Sequence, residues 1–77
     1  MEHWVDPLNE FLKDELSDVE KYAEIAKQHT GEVKQIFHDM AKEEYEHACA
    51  IWHLMEHKGM TDGLDKHEIF RAAKEAF

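Results

Sequence analysis

Seventy-seven residues with 43% hydrophobic content suit one small globular unit, and chains of this size commonly lean on a metal, disulfides or a partner subunit for stability. A single cysteine, Cys49, excludes an intrachain disulfide framework and any four-cysteine zinc or rubredoxin-like iron site, which leaves oligomerisation and metal bound by other donors. Eighteen acidic against nine basic residues give a net charge of −9, which argues against nucleic acid or an anionic membrane as partner and suits the attraction of cations.

In chain order, Asp6-Pro7 reads as a helix start, with Asp6 as N-cap and Pro7 in the first helical position. The first helix is expected from about residue 7 to 29, broken by Thr30-Gly31, where Gly31 suits a left-handed C-cap. A second, longer helix is expected over about residues 32–58 and stops at Gly59. After a short loop, Asp65 with Glu68 three residues on resembles a capping box for a third helix at about 65–77, whose apolar face is Ile69, Phe70, Ala73, Ala76 and Phe77. No strand pattern, low-complexity tract or internal repeat is present. No apolar run approaches the ~20 residues that span a bilayer and no leader is visible, so the expectation is a soluble, cytoplasmic, all-α chain.

The short turn near residue 30 makes the two long helices an antiparallel hairpin, in which facing residues have numbers summing to about 59. Helix two carries a seam of Val33, Phe37, Met40, Glu44, His47, Ile51 and Leu54, spaced alternately by four and three. Helix one carries Leu8, Leu12, Glu15, Val19, Tyr22 and Ala26. The register pairs Tyr22 with Phe37 and Glu15 with Glu44, with His47 opposite Leu12. Both seams are therefore interrupted by polar residues at one height, and Glu15, Glu44 and His47 are expected to converge within about one turn.

Carboxylates in an apolar seam are strongly disfavoured unless paired or metal-bound, and two at one level also repel each other. A divalent cation resolves both problems. Glu44 and His47 form a Glu-x-x-His pair, about 4.5 Å apart along the helix axis, that can grip one ion from one face. Carboxylate oxygens with an imidazole suit iron or manganese, whereas the absence of thiolate points away from structural zinc. Bundles that hold two metals take a Glu from each of two helices and Glu-x-x-His from each of two others, and this chain has one of each. Two copies around a two-fold axis would complete the set.

Glu15 followed by Tyr22, and Phe37 followed by Glu44-Tyr45-Glu46-His47-Ala48, resemble the first two helices of the ferritin-like superfamily in its rubrerythrin-type pattern, over about residues 8–58. With two long helices and a short third, the chain is most similar to half-size, encapsulated ferritins. That resemblance implies a hairpin dimerising into a ferritin-like four-helix bundle and a ring-like higher oligomer. It also implies a di-iron ferroxidase site between two subunits, with two ions per dimer, in iron storage or detoxification. Manganese or zinc would substitute in vitro. Residue by residue, it assigns Glu15 as the bridging glutamate, Glu44 and His47 as the Glu-x-x-His ligands, and Tyr22 as the tyrosine that orients them. It further implies an encapsulin shell as partner and a place inside that compartment. Ser17 stands where such proteins carry an extra acidic residue for iron uptake, no separate targeting tail follows Phe77, and the cysteine-ligated iron domain of rubrerythrins is lacking.

Other residues read more simply. Tyr22 either orients a ligand carboxylate or fills core beside Phe37. His53 and His57 lie off the seam and read as surface residues with nothing acidic fixed beside them, and Cys49 as a buried or interfacial thiol. Tyr45, Ala48, Trp52 and Met55 form a second stripe for packing against helix three or another subunit. The alternatives to a ferroxidase are a peroxide-reducing di-iron protein of rubrerythrin type and a metal-free helical dimer whose polar seam residues set register.

Overall fold

The computed structural model describes residues 5–77, and side chains from residue 7 onward. Three helices follow one another, α1 (Val5–Lys27), α2 (Gly31–His57) and α3 (Lys66–Ala76), and the described residues contain no strand. None of these helices is long and apolar enough to cross a membrane.

α1 starts earlier than the Asp6-Pro7 signal suggests. Asp6 lies within its first turn rather than at the cap, and the capping position falls outside the described residues. Pro7 is tolerated there because the first backbone N–H groups of a helix have no intrahelical partner. At the other end α1 closes at Lys27, two residues before the expected His29. Its last carbonyls are taken locally: Gln28 N–H donates to Glu24 and Ile25, His29 Nδ1 lies 2.9 Å from the Ile25 carbonyl oxygen, and Lys34 Nζ donates to Ala26. Gly31 has the expected positive φ of 67°, but as the first residue of α2, where it turns the chain back, and not as the C-cap of α1.

The end of α2 is a Schellman turn. Gly59 (φ 72°) follows the C-cap Lys58, its N–H reaches the Glu56 carbonyl at 3.0 Å, and Met60 N–H reaches the Met55 carbonyl at 2.8 Å. Asp65 caps α3 by accepting from Glu68 N–H at 3.3 Å. The reciprocal half of the expected capping box does not form, because the Glu68 carboxylate pairs with Arg71.

α1 and α2 pack as an antiparallel hairpin in the expected register, with the Tyr22 and Phe37 rings 6.0 Å apart. α3 folds back along the hairpin, and Phe70 meets Tyr45 (5.8 Å) and Trp52 (6.0 Å) edge-on. The core comprises Leu12, Leu16, Val19, Ala23, Ala41, Ala48, Trp52, Met55, Phe70 and Ala73. On α2 this corrects the seam: the buried residues are Ala41, Ala48, Trp52 and Met55, the last three from the second stripe expected to pack against helix three or another subunit, whose fourth member, Tyr45, is half-buried. Val33, Phe37, Met40, Glu44, His47, Ile51 and Leu54 run along one flank of that face, half-buried or exposed. The metal-type residues therefore lie at an open edge of the hairpin rather than at its centre.

Candidate metal centre

Glu15 projects from the middle of α1, beside the core-facing residues Leu12, Leu16 and Val19. Glu44 and His47 project from the middle of α2, one turn apart. The antiparallel register brings the three together. His47 Nδ1 lies 3.5 Å from Glu15 Oε1 and 3.4 Å from Glu44 Oε1, and one donor atom from each residue falls within 4.8 Å of the others. Among the described residues this is the one group of three or more such side chains close enough to share an ion.

Their burial differs in a useful way. The Glu15 and Glu44 side chains are 23% and 22% exposed, whereas His47 is 63% exposed. The carboxylates form the floor and the imidazole stands at the rim, so the expectation that His47 fills a core slot is corrected.

Electrostatically the cluster is incomplete. Glu15 Oε1 is buried and accepts no hydrogen bond. The Glu15 carboxyl is held above its ordinary value of 4.5, chiefly by a hydrogen bond with the Glu44 carboxyl, then by burial and by the charge of Glu44, while His47 partly opposes the shift. Glu15 thus keeps its proton more readily than a solvated carboxyl does. A divalent cation would replace that proton and satisfy the orphaned oxygen, so the donor set fits a metal of the iron or manganese class.

Tyr22 is half-buried beside Phe37 and packs against the core, and no hydrogen bond joins it to either carboxylate among the described residues. Its packing role is visible in the structure. The orienting role comes from the resemblance alone.

His53 lies away from the cluster, exposed, but it is not without an acidic neighbour: its Nδ1 is 3.6 Å from Glu56 Oε1. His57 is exposed in the last turn of α2. Cys49 is free, half-buried and packed against the core on the α3 side. Tyr45 also lies there, and burial raises its phenol above the usual range.

No curated protein and no solved structure matches the chain. A family model does, that of rubrerythrin, over residues 6–76. That span contains all three helices apart from the first residue of α1, and every member of the Glu15, Glu44 and His47 cluster. The all-helical hairpin with carboxylates and a Glu-x-x-His on facing helices is the local architecture of ferritin-like proteins. The chain therefore belongs to the rubrerythrin family, within the ferritin-like superfamily.

Proposed function

We propose that the chain is a ferroxidase that works as a homodimer and oxidises Fe(II) to Fe(III) at a site built from two copies. The observation that carries this reading is the cluster of Glu15, Glu44 and His47 at an open edge, with an orphaned carboxylate oxygen on its floor. Family membership supports a di-iron, oxidoreductase-type protein.

The flank that carries the cluster is also the apolar one. By helical spacing, Phe11 lies on the Glu15 side of α1, and Val33, Ile36 and Leu54 lie on the Glu44 side of α2. These four side chains are 57%, 42%, 48% and 43% exposed. An apolar strip of this kind around half a donor set is the surface a second copy would cover, and two copies would supply the four Glu and two His of a two-metal bundle site.

In that site Glu15, Glu44 and His47 of each copy would hold the ions, the carboxylates supplying oxygen donors and the imidazole a nitrogen donor. To bind, Glu15 would give up the proton its surroundings favour, and Glu44 and His47 would add a carboxylate oxygen and a ring nitrogen. When bound there, a pair of Fe(II) ions supplies two electrons, which dioxygen takes up with two protons to give hydrogen peroxide and two Fe(III). Zinc would occupy the same donors without redox chemistry and inhibit. A helical hairpin with one short third helix encloses no cage, so product iron needs a receiver. Dimers joined in a ring inside an encapsulin shell are the arrangement we propose for storage.

The rubrerythrin match favours one second reading, reduction of peroxide by the same metal pair with electrons from a separate donor protein. One set of measurements tests both: oxygen uptake and absorbance growth after aerobic addition of Fe(II), and peroxide consumption by the reduced protein. Ferroxidase action predicts oxidation faster than in buffer for wild type and near-buffer rates for Glu15→Ala and Glu44→Ala. Peroxide consumption without faster Fe(II) oxidation would select the second reading. Equal rates everywhere, with no metal retained, would leave a helical dimer module.

A further inference from the structure

On the flank of α2 opposite the donor cluster, α3 closes a groove against the hairpin. It is a shallow groove, open along one side, with about 500 Å3 of accessible space and lined by His38, Lys42, Tyr45, Glu46, Lys74 and Phe77, all exposed except the half-buried Tyr45. Three rings form its apolar part: Phe77 is held edge-on by His38 at 5.6 Å and by Tyr45 at 5.9 Å, yet remains 49% exposed. Past Tyr45 and Lys74 the groove continues into a second hollow of about 410 Å3 that adds Lys66 and His67.

The charge here runs against the rest of the molecule. α3 with its cap balances Asp65, Glu68 and Glu75 against Lys66, Arg71 and Lys74, so the entire net charge of −9 falls on residues 1–63. Within the first cavity Glu46 is the one acid against two lysines. Neither Lys42 nor Lys74 makes an ion pair or a side-chain hydrogen bond among the described residues. In a chain with twice as many acids as bases, two uncommitted ammonium groups beside an aromatic surface are an unfilled charge pattern.

We infer that this groove binds a small planar aromatic anion, its ring against Tyr45 and Phe77 and its carboxylate or similar group between Lys42 and Lys74. The open groove has room for one such ring system laid against its aromatic wall. The ammonium groups sit on flexible stems and can close on the acid from both helices. Ring contacts of the edge-to-face kind already made by Phe77 extend to the ligand. The site is independent of the metal centre, since Lys42 and Tyr45 lie on the other side of α2's core-facing line from Glu44 and His47.

The test uses the full-length protein in metal-free buffer, titrated with 2-naphthoate and with its uncharged isostere 2-naphthamide, while backbone amide shifts are followed by NMR. Shifts induced by 2-naphthoate should centre on His38, Tyr45, Lys74 and Phe77, and the acid should bind more tightly than the amide. In Lys42→Ala/Lys74→Ala the affinity for the acid should fall roughly 5- to 20-fold, to that of the amide, as expected for two exposed ion pairs. Both lysines are exposed, so helix content by circular dichroism should be unchanged in the variant. Three results would each overturn the inference: no shifts, shifts centred on Val33, Leu54 and Phe11, or equal wild-type affinity for the two naphthalenes.

Discussion

Glu15 Oε1 on α1 and His47 Nδ1 on α2 lie 3.5 Å apart, and the carboxylate oxygen that faces the imidazole is buried with no hydrogen bond to accept. An oxygen in that position is expensive to leave bare, by about 1–3 kcal/mol even when neutral. The pair therefore sets how the metal-free protein should respond to pH, what metal should do to it, and which variants should separate the two.

In the metal-free protein the folded chain keeps a proton on Glu15 that the unfolded chain releases near 4.5. The stability this contributes is fully present below 4.5 and is lost as pH rises through the raised folded value. Glu15→Gln mimics the protonated form. Its Tm relative to wild type should therefore climb as pH rises through that window. Saturating Zn(II) should reverse the order, since wild type then gains by binding. A Tm difference that ignores both pH and zinc would show that Glu15 is solvated and uncoupled.

Loss of a ligand should empty the site without unfolding the protein. His47 is mostly exposed and Glu44 lies on the flank rather than in the core, so Glu44→Ala and His47→Ala should keep wild-type helix content by circular dichroism. Iron affinity should fall by more than the roughly 10–100-fold that mere supporting partners contribute. Elemental analysis after desalting reads the result. Unchanged iron in both variants would move the site, with His53, Glu56 and His57 the next place to look.

Association and folding should be separable through two classes of apolar residue. Trp52 is 3% exposed in the core, so Trp52→Ala should cost ~3–5 kcal/mol and broaden or abolish thermal unfolding. Val33→Asp and Leu54→Asp alter side chains 42% and 43% exposed in one chain, and should leave the hairpin folded while shifting light scattering from dimer to monomer. Dimers that survive both aspartates would place the second copy on another surface.

Much of this was legible in residue spacing. The Thr30-Gly31 break and the two apolar seams imply an antiparallel register, and that register brings Tyr22 to Phe37 and Glu15 to the Glu44–His47 pair, as the structure does. What spacing could not decide was which of two adjacent stripes on α2 faces its own chain. The Val33–Leu54 stripe holds larger side chains at regular intervals and reads as core, whereas the buried stripe includes Ala41 and Ala48, whose small size weakens the pattern. Hydrophobicity marks a face as one that seeks cover and does not say whether the cover is intramolecular. The α2–α3 groove was equally hidden, because His38, Lys42 and Lys74 become neighbours only once α3 folds back along the hairpin.

The most direct test of a site shared between two chains is native mass spectrometry of the protein with and without Fe(II) under anaerobic conditions, which counts subunits and ions in the same particle. A shared site should appear as dimers, or rings of dimers, that carry two iron ions per pair of chains, with dimer abundance rising as iron is added. A monomer that holds iron with wild-type affinity, or dimers that form without ever retaining it, would contradict it.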